Sequence, residues 1–121
     1  MSKSKGNIVE PWAMFDKYGA DVVRFWFYSV NQPGESKNFD EKLIDETNKK
    51  VFNILRNVVS FYEMYAGENT DADPFSSNNV LDQWILSLLS KLITDVSSGL
   101  DKYQVLEPAR AIREFAGELS T

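Results

Sequence analysis

The chain of 121 residues is long enough for one domain with a single core, but not for a second core. It has no cysteine and no histidine, which excludes disulfides, thiolate metal sites and imidazole catalysis, so we predict no metal site. The net charge of −5 is uneven: nine Lys/Arg oppose eight Asp/Glu in residues 1–56, whereas four oppose ten in residues 57–121. Any polyanion contact should therefore use the first half. No apolar run reaches the ~20 residues of a membrane helix, and we expect a soluble cytoplasmic protein.

Two short helices are predicted in the first third of the chain. Pro11 suits the first turn of a helix that Gly19 would end. Asp21 is expected to cap a second helix, DVVRFWFYSV, which has almost no polar face. A strand is the alternative for this run, because it is short and rich in aromatic and β-branched residues.

A long third helix is predicted over residues 41–66, capped by Asp40 and ended by Gly67. Apolar side chains and one threonine recur along it every three or four residues and form one stripe. The members of this stripe are Leu43, Thr47, Val51, Ile54, Val58, Phe61 and Tyr65.

Two more helices complete the predicted fold. Asn79 can start a fourth helix over 80–103, in which Gly99 would weaken the last turns, and Pro108 can open a fifth. The chain stops without a helix-ending signal, as though it were cut within the fifth helix. The predicted fold class is all-α: a helical bundle of about five helices with a long central antiparallel helical hairpin. We expect core packing of the tryptophans, Trp12, Trp26 and Trp84.

The opening MSKSKGN carries the residues best suited to chemistry. Lys3 and Lys5 supply positive charge, Ser2 and Ser4 supply hydroxyl donors, and Gly6 lets the backbone approach a ligand closely. Such a group can hold a polyphosphate and neutralise charge that develops as a phosphoryl bond breaks. Taken alone, the stretch is better described as a solvated basic leader.

The stretch MSKSKGNIVEPWAMFDKYGADVVRFWF resembles the signature loop of class I aminoacyl-tRNA synthetases and the helices that follow it. Residues 1–4 match the last four letters of the family motif KMSKS. The resemblance continues through FDE at 39–41, LRN at 55–57 and LDQWILSLL at 81–89. Within the family, the isoleucine-specific enzymes are the most similar, and the valine-specific enzymes are the alternative.

The resemblance implies an ATP-dependent ligase that charges tRNA through an aminoacyl-adenylate. Lys3 would be the catalytic lysine, and Met1, Ser2, Lys3 and Ser4 would bind ATP, with Mg²⁺ expected in the full enzyme. The family's HIGH motif needs histidine, which this chain lacks. We therefore expect an excised or truncated segment that binds no cofactor alone, is inactive alone, and has tRNA and a missing catalytic domain of the same polypeptide as partners.

Two segments are expected from the resemblance. Residues 1–38 would form the KMSKS-type loop and its connecting helices, and residues 39–121 the first part of an anticodon-binding helical domain. The competing interpretations are a stand-alone helical RNA-binding module and a purely structural helical domain. The acidic balance of the chain weakens the first of these.

The long helix carries candidate tRNA contacts. Lys42, Lys49 and Arg56 are spaced by seven residues and fall on one line, with Lys50 beside it, so they could contact phosphates. The alternative, which we prefer, is a solvent-exposed face with Lys42/Glu46 and Glu46/Lys50 ion pairs, because Glu46 would repel phosphate.

Two surface features complete the sequence-based predictions. Arg110 and Arg113 lie beside Glu107 and Glu114, so we expect them to face solvent. The apolar second helix is more than a small bundle can cover from one side. We expect it either to fold inward or to drive self-association of the isolated chain.

Overall fold

A computed structural model describes residues 9–67 and 73–120, and every regular element within those ranges is helical. A π-helical turn, Asn48–Phe52, joins the third and fourth α-helical segments into one continuous helix, and a short 3-10 turn, Pro74–Ser76, precedes the fifth segment. The all-α fold class and the number of helices are thus confirmed. The six α-helical segments are α1 (Pro11–Tyr18), α2 (Ala20–Val30), α3 (Glu41–Thr47), α4 (Asn53–Tyr65), α5 (Val80–Asp101) and α6 (Leu106–Leu119).

Helices α1 and α2 are separated by Gly19 alone. This glycine has φ 85° and ψ 150°, a conformation that a residue with a side chain rarely adopts. Because α2 already begins at Ala20, the prediction that Asp21 caps it is wrong. Asp21 lies inside the first turn, where its negative charge still favours the positive end of the helix dipole. The helical interpretation of this run is confirmed over the strand.

The core lies where α2 crosses the start of the long helix. Val22, Val23 and Trp26 of α2 pack with Ile44 of α3, and all four are almost completely buried. The predicted core packing is thus confirmed for Trp26. It is wrong for the other two tryptophans, because Trp12 and Trp84 are exposed. Half-buried side chains surround this cluster: Met14, Phe15, Tyr18, Val30, Phe39 and Phe52.

The long helix begins as predicted, because the Asp40 side chain accepts a hydrogen bond of 2.9 Å from the backbone N–H of Lys42. Its buried residues are Ile44, Thr47 and Val51. The predicted stripe therefore fails at its ends. Leu43 is exposed, and Phe61 and Tyr65 are exposed because α4 packs only lightly, chiefly on α6.

The most extensive helix packing in the described ranges joins α5 to α6. Asn79 caps α5 as predicted, accepting from the backbone N–H of Leu81 at 2.9 Å. Gly99 is buried against Pro108, so the glycine that weakens α5 locally permits a close approach of α6. Helix α6 starts at Leu106 rather than Pro108, because a proline fits anywhere in the first turn, where N–H groups lack helical partners. Packing of α4 on α5 is sparse, and a central hairpin formed by these two helices stays a prediction.

Candidate functional site

The residues with the strongest sequence signal, Met1–Ser4, lie outside the described residues, so the ATP-binding assignment stays a prediction. The structure does describe the helix that follows them. Helix α1 begins at Pro11, directly after Glu10, and no residue of α1 is fully buried. The contacts between α1 and the rest of the fold are therefore the part of this site that the structure describes.

A three-residue cluster attaches α1 to the long helix. The Lys17 Nζ atom lies 2.5 Å from Oε1 of Glu41, and the Tyr18 hydroxyl donates to the same oxygen at 3.1 Å. The Lys17 ammonium also lies 5.2 Å from the centre of the Tyr18 ring. The hydrogen bonds from Lys17 and then Tyr18 lower the pKa of Glu41 below its ordinary value, and Glu41 raises the pKa of Lys17. No pattern in the sequence indicates this cluster, because Glu41 lies 24 residues from Lys17 and 23 from Tyr18.

Two of the predicted tRNA-contacting lysines already have acidic partners. Lys49 Nζ lies 2.6 Å from Oδ2 of Asp45, which raises the pKa of Lys49, and Lys50 pairs with Glu46. The hydrogen bond and charge of Lys50 lower the pKa of Glu46. The Glu46/Lys50 pair is thus confirmed. The Lys42/Glu46 pair is wrong, since Lys42 makes no ion pair with any described residue.

Arg56 is held within its own helix. Its Nη1 atom donates to Oδ1 of Asn53 at 2.9 Å and to Oδ1 of Asn48 at 3.3 Å. The π-helical turn holds about one residue more than an α-helical turn, and so rotates the following residues by roughly 100°. The predicted straight line from Lys42 through Lys49 to Arg56 therefore breaks at the turn. All four cations are exposed, and their proposed tRNA contacts stay a prediction.

The two arginines of α6 have structural roles that the sequence did not indicate. Arg110 donates to the backbone oxygens of Ser29 at 3.4 Å and Val30 at 3.1 Å, at the end of α2. A cation there offsets the negative end of the helix dipole and satisfies carbonyls without helical partners. Arg113 lies 3.8 Å from Glu46. Both contacts join α6 to the first half of the chain, through Arg110 to α2 and through Arg113 to α3.

An open cavity of about 510 Å³ lies between α2, α3 and α6. Trp26, Thr47, Arg110, Arg113 and Glu46 are among its lining residues. Opposite charges are interspersed around it, so it favours neither a cation nor an anion. Within residues 9–67 and 73–120, no group of three or more acidic side chains is placed to hold a metal ion. No helix in the same ranges is both long and apolar enough to cross a membrane.

The sequence of this chain is similar to known proteins of one family. The family model for class I tRNA synthetases of the I, L, M and V types matches residues 1–40. The isoleucine–tRNA ligase of Dehalococcoides mccartyi strain CBDB1 is 43% identical over 99% of this chain. The chain belongs to the class I tRNA synthetases. The isoleucine–tRNA ligases of Clostridium tetani and Thermus thermophilus are 41% and 35% identical over 99% and 98% of the chain.

These matches are with isoleucine-specific class I tRNA synthetases and do not favour the valine-specific alternative. The chain spans about 12% of the length of the curated relatives it matches.

Proposed function

We propose that the chain acts as a segment of an isoleucine–tRNA ligase, which activates isoleucine with ATP and transfers it to tRNA. The single observation that carries this proposal is the identity of 35–43% to isoleucine–tRNA ligases over nearly the whole chain. Residues 1–38 would contribute the ATP-binding loop and its connecting helices. Residues 39–121 would contribute the first part of the anticodon-binding domain. The proposed division concerns function and not folding, because one hydrophobic core includes residues of both α2 and α3.

The proposed chemistry depends on charge and position. Lys3 would stabilise the negative charge that builds on the pyrophosphate as it leaves, and Met1, Ser2 and Ser4 would help to hold ATP with its Mg²⁺. No proton abstraction is needed from this segment, which agrees with a chain that has no histidine. The nucleotide-binding fold would come from the remainder of the polypeptide, so the isolated chain should be inactive. We place the complete enzyme in the cytoplasm.

The four cations of the long helix would be secondary contacts to tRNA. Lys42 is the best of them, because it is exposed and has no acidic partner among the described residues. The others would have to exchange an existing partner for a phosphate, which reduces the gain from each contact. The proposal therefore assigns affinity mainly to parts of the ligase outside this segment.

A chimeric ligase tests the proposed loop. This chain would replace the matching segment of the Dehalococcoides mccartyi enzyme, and isoleucine-dependent ATP–pyrophosphate exchange would be measured. We expect Lys3→Ala to reduce kcat by roughly 10²- to 10³-fold, the usual cost of losing a group that stabilises developing charge. Lys102→Ala is the matched control, because Lys102 is exposed and lies in the connection between α5 and α6. An unchanged rate for Lys3→Ala would show that the loop is assigned wrongly.

A further inference from the structure

Helix α5 is the longest α-helical segment in the described ranges, and none of its apolar side chains is completely covered. It has 22 residues, of which Gly99 alone is fully buried. Helix α6 packs on it extensively, whereas the other helices contact it sparsely. Leu81, Trp84 and Ile93 are 69%, 44% and 58% exposed. A helix with this much uncovered apolar surface is suited to a further partner.

A groove of about 410 Å³ lies between α5 and α6. The apolar residues of its lining are Trp84, Leu88, Leu92, Ala111 and Phe115. On each helix these residues are four apart, so they form one row on α5 and one on α6. The lining extends from residue 84 to residue 95 of α5, which is about 17 Å along the helix axis. The groove therefore has the length of about three helical turns, and an amphipathic helix fills a groove of this kind.

The charged residues of the groove are mainly acidic. Asp95 of α5 and Glu114 and Glu118 of α6 line it, together with one cation, Lys91. All four are exposed, and none of their side chains makes an ion pair or a hydrogen bond with a described residue. Glu114 and Glu118 lie one turn apart on α6, where like charges repel each other. A cation placed between them would remove this repulsion, so the groove is complementary to Lys or Arg side chains.

We propose that this groove binds a basic amphipathic helix that belongs to the same ligase polypeptide but lies outside this chain. The curated relatives are long enough to supply such a helix, because the chain spans about 12% of their length. A second copy of the chain fits less well, since the exposed apolar residues of α4 surround Glu63 and no cation. The carboxylates of the groove would repel the phosphates of RNA. This inference rests on the proposed function, because it takes the chain as part of a longer ligase.

The first experiment measures binding of a labelled synthetic peptide to the isolated chain by fluorescence anisotropy. The probe is a helix of about 14 residues, with leucine on one face and lysine on the other. A second peptide has glutamate in place of each lysine. We expect the lysine peptide to bind at least about tenfold more tightly, because like charges across an interface are strongly unfavourable. Equal affinities of the two peptides would overturn the proposal.

Variants separate the groove from general charge attraction. Glu114→Gln combined with Glu118→Gln should weaken binding of the lysine peptide roughly 3- to 10-fold. Glu63→Gln combined with Asp101→Asn has the same net charge but lies outside the groove, so binding should change less than about twofold. Trp84→Ala removes a ring of the groove and should weaken binding about 5-fold. Equal losses in the two double variants, or no loss in Trp84→Ala, would contradict binding in the groove.

The second experiment follows hydroxyl-radical oxidation of Trp84 by mass spectrometry, in the isolated chain and in the chimeric ligase. Trp84 is 44% exposed in the chain, and we expect about 5-fold slower oxidation in the ligase, where the proposed helix covers it. Equal oxidation rates would overturn the inference. Protection of Trp84 in the isolated chain by tRNA, or by a higher chain concentration, would also overturn it, since the groove would then have another occupant.

The Lys3→Ala exchange assay separates this inference from the proposed function. If Lys3→Ala impairs ATP–pyrophosphate exchange and Trp84 is oxidised equally fast in the ligase and the chain, the groove proposal is wrong and the proposed function stands. If Trp84 is protected in the ligase and Lys3→Ala has no effect, the loop assignment fails and the groove proposal stands.

Discussion

Replacing Gly99 with alanine would test the close approach of α5 and α6. A Cβ atom at Gly99 would lie 2.6 Å from Cγ and 3.3 Å from Cδ of Pro108, and 3.4 Å from the backbone oxygen of Gln104. The first distance is well below van der Waals contact. Pro108 belongs to a rigid ring in the first turn of α6, so the contact cannot be relieved by a rotamer change.

The expected magnitude follows from two opposing effects. Overpacking of this kind costs about 1–3 kcal/mol. Alanine in a helix gains about 1 kcal/mol over glycine. The balance is a loss of about 1 kcal/mol in the free energy of unfolding. For a chain of this length, this corresponds to a Tm lower by about 4 °C.

The matched control is Gly117→Ala on the partner helix. Gly117 is also helical, but a Cβ atom there would meet nothing within 4 Å. Because Gly117 is near the end of α6, we expect a gain of only about 0.5 kcal/mol, or roughly 2 °C. Thermal and urea unfolding of the chain, followed by far-ultraviolet circular dichroism, would measure both variants. If Gly99→Ala were as stable as the wild-type chain or more so, the close contact of α5 with α6 would be wrong.

Two further predictions concern α2 and α4. Arg110→Met should cost about 1 kcal/mol in unfolding free energy, since the last carbonyls of α2 lose a charged donor, whereas Arg113→Met should cost less than about 0.5 kcal/mol. Equal costs in urea unfolding would argue against the cap. We also expect concentration-dependent self-association, carried by Phe61, Tyr62 and Tyr65 of α4, which are all exposed. Light scattering should show less self-association for Tyr65→Glu than for the wild-type chain. A chain that stays monomeric and binds no hydrophobic dye at every concentration would contradict this prediction.

Local signals in the sequence predicted most of the helices. Asp40 and Asn79 cap helices because their side chains accept from backbone N–H groups two residues ahead, which depends on short-range geometry alone. The prediction for Asp21 failed because Gly19 occupies the N-cap position of α2, which places Asp21 inside the first turn. Local rules do not include the spacing between neighbouring helices, and this spacing decided the outcome.

Contacts between distant parts of the chain could not be predicted. Arg110 is exposed, as its acidic neighbours suggested, but the sequence did not indicate that it also donates to carbonyls 80 and 81 residues away. The contact between Lys17 and Glu41, which are 24 residues apart, was likewise not predicted. The predicted site at Met1–Ser4 came from a motif, and its geometry lies outside the described residues. Periodicity assumed a regular α-helix throughout, so the stripe and the line of cations did not allow for Asn48–Phe52.

The π-helical turn at Asn48–Phe52 contains about one residue more than an α-helical turn. The number of residues in this turn therefore sets how the following part of the helix is rotated about its axis. Shortening the chain by one residue at this point would leave a regular helix, but its distal part would be turned by roughly 100°. Ile54 and Val58, now half-buried, would swing away from the faces they cover, while the composition would hardly change. The number of residues in this turn, rather than the identity of any side chain, then decides which face of α4 packs against the neighbouring helices.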